Sequence, residues 1–398
     1  MTAQPIPEHD HTQGDDDRAH APKLFIEQLT LTDFRNFAAA RLNLDARPVV
    51  LVGDNGAGKT SLLEAVSLLG PGQGLRGRPY RELARHGGQG GWAIAGKVAS
   101  GGENVSIGTG FGLAGDEERT ARNVRIAGKD ASANALANHV KLVWLIPAMD
   151  GLFTGPASER RRFLDRLMLA VDPKMRSPRA RFERAMRQRN RLFQLHEGSA
   201  SLFAGLEEQM AETGTAIAAA RLDAVSRLAS LIESSKESLM QGLFPWSSLA
   251  LSGTLEAALM DGSAVEAEDA YRERLARDRE RDRAAQRTLE GPHRSDLVVS
   301  HGPSGRPAEL CSSGEQKALL LGLVLSQAAL LTQLDKAPPL ILLDEVAAHL
   351  DATRREALFA EILRLGSQAW MTGTDEALFA PILADARHLA VSQGTIEG

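Results

Sequence analysis

One cysteine, Cys311, is all the disulfide-forming capacity in 398 residues. A lone thiol closes no intramolecular bridge, so a reducing, cytoplasmic setting is expected. Nor does any apolar run approach the roughly 20 residues that cross a bilayer, which argues against a membrane protein. A dominant charge sign is missing as well: 46 Lys and Arg stand against 51 Asp and Glu, a formal net of −5. Any nucleic-acid surface must therefore be local rather than global. There is no internal repeat and no long low-complexity tract. The first 22 residues hold Pro5, Pro7, Pro22, the run Asp15-Asp16-Asp17 and several His. They lack apolar periodicity and a signal-peptide hydrophobic region, and are read as a disordered acidic tail. What the chain has is 43% hydrophobic residues, enough for a real core, and a length that suits two or three domains.

From Lys23 the pattern turns to Leu-Phe-Ile-Glu-Gln-Leu-Thr-Leu, a strand-type alternation, and a second apolar stretch, Pro48 to Val52, ends at a glycine loop. A helix follows over Ser61 to Leu69, stopped by Gly70-Pro71-Gly72. Between about Gly90 and Val143, glycine-rich sequence with short runs at Asn104 to Thr109 and Asn123 to Ala127 predicts antiparallel hairpins. Ser158 to about Glu290 is Arg-, Glu-, Ala- and Leu-rich with few strand formers and predicts a helical insertion. Within it, Glu207 to Glu233 could pair with a returning helix from about Val265 to Leu289 as a short antiparallel arm. After it come a helix Ser313 to Gln333, an apolar strand Leu340 to Leu343, a helix from about Ala352, and a strand near Ala369 to Thr372, which fit a buried central sheet.

Gly53-Asp54-Asn55-Gly56-Ala57-Gly58-Lys59-Thr60 has the P-loop pattern and sits where that pattern must, after an apolar strand and before a helix. Its glycines let backbone amides wrap phosphates, Lys59 reaches the β and γ phosphates, and the Thr60 hydroxyl ligates Mg²⁺. Ile341 to Glu345 is an apolar strand ending in two acids. Asp344 could hold the Mg²⁺ shell and Glu345 could orient or deprotonate water, although many buried strands simply end in a polar loop. Ahead of it, Cys311-Ser312-Ser313-Gly314-Glu315 is either no more than a well-capped helix start or a signature loop. As a signature loop, Ser312, Ser313 and Gly314 would face the γ-phosphate of ATP on a second subunit. Ala347 to Asp351 would be a D-loop, and His349 alone reads as a surface residue. The four elements in this order are far more specific than any one.

These motifs resemble the ABC-type ATPases and, more narrowly, the RecF family of bacterial recombination mediators. The narrower resemblance rests on three stretches: Leu31 to Phe37, similar to LxDFRN(Y/F); Pro156 to Asp165, similar to PxxxRRxFLD; and Gly291 to Leu297, similar to GPHRxDL. It covers roughly residues 24 to 395. It implies an α/β fold, an ABC-type P-loop ATPase head with a central mixed sheet plus an inserted helical arm domain. The parts would be residues 1–22 (tail), 23–157 (N-terminal head), 158–290 (arm) and 291–398 (C-terminal head). It also implies ATP and Mg²⁺ as ligands, ATP-dependent homodimerisation, action at DNA gaps and junctions in repair and the SOS response, and association with RecR and RecO to help load RecA. Arg35 and Asn36 could touch nucleotide or merely form a turn, and Arg76 and Arg78 could serve ATP, DNA or solvent. His293 and Arg294 are expected to be structural or interface residues. Two departures, no glutamine in Trp144 to Pro147 and Thr374 where ABC ATPases carry histidine, argue against fast hydrolysis, and a weak, DNA-stimulated ATPase used as a dimerisation switch is expected.

Twelve Lys and Arg against four Asp and Glu between Ser158 and Arg191 give a local net of +8. Such helices can bind phosphate backbones, or can be a solvated face paired with acids. A nucleotide-binding subunit of an ABC transporter is the alternative function. The long basic insertion speaks against it.

Overall fold

The structure, a computed structural model, describes residues 24–112, 121–236 and 243–398; the expected acidic tail lies outside them. The chain opens with β1 (Phe25–Phe34) and β2 (Phe37–Asn43), then β3 (Val49–Val52) and α1 (Lys59–Leu68). There follow β4 (Trp92–Ser100), β5 (Glu103–Phe111), β6 (Asn123–Ile126), β7 (Lys129–Ala131) and β8 (Leu142–Leu145). The middle is α2 (Ala157–Val171), α3 (Arg176–Leu195), α4 (Ala200–Ser235), β9 (Ser247–Ser252), α5 (Thr254–Asp261), α6 (Ala264–Arg277) and α7 (Arg279–Ala284). The last part is β10 (Asp296–His301), α8 (Ser313–Asp335), β11 (Leu340–Leu343), α9 (Ala352–Leu365), β12 (Ala369–Gly373), β13 (Arg387–Ser392) and β14 (Thr395–Glu397).

Two six-stranded sheets form the head. One is antiparallel, in the order β2-β1-β4-β5-β6-β7. The other, β14-β13-β3-β12-β11-β8, is parallel except for β14. Its inner strands read as continuous apolar runs because both faces are covered: Val49, Val50, Leu51 and all of Leu340 to Leu343 are buried. Gln368, fully buried, ties the sheets together. Its side chain accepts from the Ile26 amide at 2.9 Å and donates to the Ile26 and Asp45 carbonyls at 3.1 and 2.7 Å.

The insertion differs from an all-helical one. Ser247–Ser252 forms β9, which pairs antiparallel with β10, a strand of the C-terminal sequence. Its Ser-Ser-Leu-Ala-Leu-Ser alternation is short and lies between Pro245 and Gly253, so it left little periodic signal. The return over α4 is likewise broken at Asp278 into α6 and α7. By length and composition alone α8 could cross a membrane. Its charges sit near its ends, at Glu315, Lys317 and Asp335. Most of its side chains are buried against β8, α2, α4 and α9, so it is a core helix.

Where three arm helices meet, Arg189 is completely buried. Its guanidinium donates to Glu207 at 3.1 Å, Asp282 at 2.5 Å, Thr288 at 3.0 Å and the Leu275 carbonyl at 2.8 Å. Removing the cation leaves two buried carboxylates short of a partner, a loss of about 3–5 kcal/mol. Arg189→Met should therefore lower the urea midpoint of arm unfolding by a corresponding amount. An unchanged midpoint would show that the network contributes nothing net.

Candidate nucleotide-binding site

The P-loop leaves β3 and enters α1, and its backbone is set for an anion. Gly58 has φ 121, in the region that side chains disfavour, and a Cβ there would collide with the Asn36 amide. Gly53 packs so closely on the Val391 carbonyl that no Cβ fits. Helices α4, α6, α8 and α9 are each capped by a Ser or Asp side chain. Helix α1 has no side-chain cap and no acid in its first turn, so its leading amides and positive dipole end remain available. Lys59 is buried without a carboxylate partner among the described residues. Its ammonium donates to the Gly53 and Asp54 carbonyls at 2.6 and 2.9 Å, holding the loop around an open centre. Asp54, Asn55 and Gly56 form the exposed rim, and Ala57 is buried beneath.

Thr60 and Asp344, 284 residues apart, meet at the loop's edge: the hydroxyl donates to the carboxylate at 3.0 and 3.1 Å. Two hard oxygen donors side by side fit Mg²⁺, which keeps waters and takes phosphate oxygens for the rest of its shell. No group of three or more His, Cys, Asp or Glu suited to a metal exists among the described residues, so the protein offers no closed cage. Glu345 follows in a left-handed conformation (φ 55) that turns the chain out of the strand. Thr372, which sequence reasoning did not single out, organises both acids. Its hydroxyl donates to Asp344 at 2.8 Å and accepts the Glu345 amide at 2.8 Å. A polar residue in the wholly buried strand Ala369–Gly373 was the available signal. Thr374 is exposed just beyond that strand.

The Arg35-Asn36 turn supports the loop from outside. Asn36 donates to the Ala57 carbonyl at 2.8 Å. Arg35 is bound bidentately to buried Glu64 of α1 at 2.7 and 3.1 Å and donates to the Glu82 carbonyl at 3.0 Å. Its guanidinium is thus engaged within the protein. Arg76 and Arg78 are exposed, with Arg78 4.0 Å from Glu82.

Ser312, Ser313 and Gly314 lie elsewhere. Ser312 caps α8 in a reciprocal pair with Glu315 (2.8 and 3.3 Å), and all three stand exposed. Helix α8 packs on β8, the sheet edge three strands from β3, about 14 Å away at the usual strand spacing. No hydrogen bond among the described residues joins this tip to the P-loop of the same chain. Asp351 caps α9, accepting from the Arg354 amide at 2.9 Å.

The two other family-like stretches hold each other. Arg160 pairs with Asp296 at 2.9 and 2.7 Å, Arg161 donates to the Ser295 carbonyl at 3.1 Å, and Asp165 and the Pro292 carbonyl share Arg221. His293 is packed inside this junction, while Arg294 is exposed. Within the +8 segment Arg160, Arg181 and Arg189 pair with acids of other segments, while Arg162, Arg179 and Arg187 pair along their own helices with Glu159 and Glu183. Lys174, Arg184 and Arg191 are exposed and have no acid partner among the described residues. Arg160, Arg181 and Arg189 meet acids from outside the segment, so part of the local excess is neutralised within the protein and the rest is left to solvent.

Two outcomes follow from this geometry. Arg35→Met should weaken ATP binding by loosening α1, and Arg35→Met combined with Glu64→Leu should restore it, as read by calorimetric titration. A double variant as weak as the single one would instead put Arg35 on the nucleotide. Burial pulls His293 down to about 4. A histidine harder to protonate when folded costs stability as pH falls from about 6.5 towards 4, because the unfolded chain takes up the proton first. The loss is on the order of 3 kcal/mol. Chemical denaturation across that range should show the slope, and His293→Gln should flatten it.

The chain matches the family described as RecF/RecN/SMC N terminal domain over residues 25–381. It is 52% identical over 374 residues to the DNA replication and repair protein RecF of Mesorhizobium japonicum, covering 93% of this chain and 97% of that one. It is 50% identical to the RecF of Rhizobium rhizogenes, covering 94% and 98%. Among solved structures, the recombination mediator protein RecF-ATPrS in the RecFOR pathway superposes with a TM-score of 0.81 at 21% identity, covering 95% of this chain and 99% of that one. An Smc head domain bound to the C-terminal domain of ScpA, from Pyrococcus furiosus, reaches 0.51 at 14% identity, covering 94% and 95%, a likeness of fold. None of these relatives favours the transporter alternative. On this identity over nearly its whole length, the chain belongs to the RecF family of DNA replication and repair proteins.

Proposed function

We propose that this chain is an ATP-operated clamp of recombinational repair. ATP with Mg²⁺ would bind at Gly53 to Thr60, two copies would join head to head over the nucleotides, and the dimer would hold DNA at gaps or junctions. The observation that carries this reading is the division of the site. The uncapped start of α1 follows β3, the exposed serine-capped α8 packs on β8 three strands away, and no hydrogen bond among the described residues joins the two within one chain. A two-fold partner would set Ser312, Ser313 and Gly314 of one copy against the γ-phosphate on the other.

Within the site, Lys59 would release its two carbonyls for phosphate oxygens, and α1 would donate its first amides. Thr60 and Asp344 would hold the metal, which supplies charge neutralisation between the phosphates. Glu345 would orient the attacking water. Without histidine at Thr374 or glutamine in Trp144 to Pro147, turnover would be slow, suiting a switch rather than a motor. The solved relatives with ATP and ATPrS, and their placement in the RecFOR pathway, support nucleotide binding and partners in that pathway, RecR and RecO, upstream of RecA loading. Exposed Lys174, Arg184 and Arg191 are the cations of the +8 segment left for a phosphate backbone.

Sedimentation of wild type and Glu345→Gln without nucleotide, with ADP and with ATP-Mg²⁺ tests the clamp. A dimer only with ATP, longer-lived in the variant, is expected. Monomers throughout would refute it. Gel shift on gapped duplex should then depend on ATP and be lost in Lys59→Met.

A further inference from the structure

We propose that the cavity between the turn after β8 and the first turn of α2 is a binding site for a small organic oxyanion, a carboxylate or phosphate monoester, seated on Arg166. The cavity has a volume of about 310 Å³ and is walled by Met149, Gly155, Pro156, Glu159 and Arg166. That is the lower end of the range of small-molecule sites. Its lining shares no residue with the P-loop, Asp344 or Glu345.

Arg166 carries the assignment. Among the described residues no carboxylate lies within ion-pair distance of it, and its only hydrogen bond is a 3.8 Å contact to the Met149 sulfur. Its guanidinium lies over the Trp144 ring at 5.0 Å and near the Phe163 ring at 5.7 Å. Rings lie against the cation and, apart from the weak contact to sulfur, leave its in-plane N–H donors without an oxygen partner among the described residues, which is what a bidentate oxyanion supplies. Burial pulls the group down to about 10, outweighing the nearby charges of Glu159 and Asp165, which pull the other way. The surface it keeps opens into the cavity. Other cations of the same segment behave differently: Arg160, Arg179 and Arg189 each have an acid at hand.

Two further features shape the ligand. Helix α2, 15 residues long, starts at Pro156 with no side-chain cap, so the same wall carries the positive end of its dipole. Glu159 on that wall already pairs with Arg162 at 2.5 Å, so the pair contributes no net charge and Arg166 leaves the site cationic. Met149 and Leu152 offer apolar contact to a carbon body rather than to a bare ion. The cavity also adjoins the catalytic acids through backbone: Leu145, the last residue of β8, accepts the Asp344 amide at 2.9 Å. An occupant would stiffen the segment that abuts Asp344.

The test uses the full chain with its P-loop filled by saturating ADP, titrated calorimetrically with inorganic phosphate and, separately, with glutarate. Saturable binding of at least one probe is expected, weakened about tenfold or more in Arg166→Met, as the loss of a charge-assisted hydrogen bond predicts. Arg166→Lys should recover part of it. Thermal melts of both variants establish that they fold. A matching change in tryptophan emission should disappear in Trp144→Phe. A response confined to phosphate assigns the monoester, and one confined to glutarate assigns the carboxylate. No saturable binding of either probe, or binding indifferent to a folded Arg166→Met, overturns the proposal.

Discussion

The carboxylate of Asp344 is the point on which this head depends. It accepts hydrogen bonds from Thr60, at the start of the P-loop helix, and from Thr372, on the next strand of the sheet. Those two hydroxyls tie together parts of the chain separated by hundreds of residues. An anion buried at the edge of a parallel sheet is tolerated only because both donors face it and a helix N-terminus lies close by. The two hydroxyls and the carboxylate satisfy one another's hydrogen-bonding needs.

Charge inside the arm follows the same rule in a drier setting. Arg189, Glu207 and Asp282 come from separate helices and are buried together, each meeting the other's need for a partner. Arg160 with Asp296, and Arg221 with Asp165, do the same where the arm joins the head. Opposite charges drawn from distant segments specify how those segments dock, because a slipped register would strand an ion in low dielectric. Basic residues that look in sequence like a phosphate-binding surface are therefore in good part the fasteners of a helical domain. Arg166 stands apart, since aromatic rings rather than a carboxylate receive it.

Much of the site was legible from local pattern. A glycine-rich loop between an apolar strand and a helix is a local pattern, and Gly53 to Thr60 sits between β3 and α1 as that pattern requires. The strands Leu340–Leu343 and Ala369–Gly373 fell where continuous apolar runs required buried parallel strands. The strand Ser247–Ser252 escaped notice because six alternating residues between turn formers carry too little periodicity, and its partner lies dozens of residues away. Thr372 escaped for a related reason: one threonine in a strand has no signature until the strand beside it brings up Asp344.

The sequence by itself determined the P-loop pattern and most element types, since both depend on near neighbours: glycine spacing, helix periodicity, and acids at the tip of an apolar run. Only the tertiary structure decided which charges are free. Whether an arginine meets solvent, an acid or a ring depends on segments far away along the chain, and a count of +8 cannot distinguish them. It also decided that Arg35 grips Glu64, that Thr372 serves Asp344, and that Ser312 stands apart from the P-loop of its own chain. Each is a matter of distance across the fold, which electrostatics and hydrogen bonding read directly and residue order does not encode.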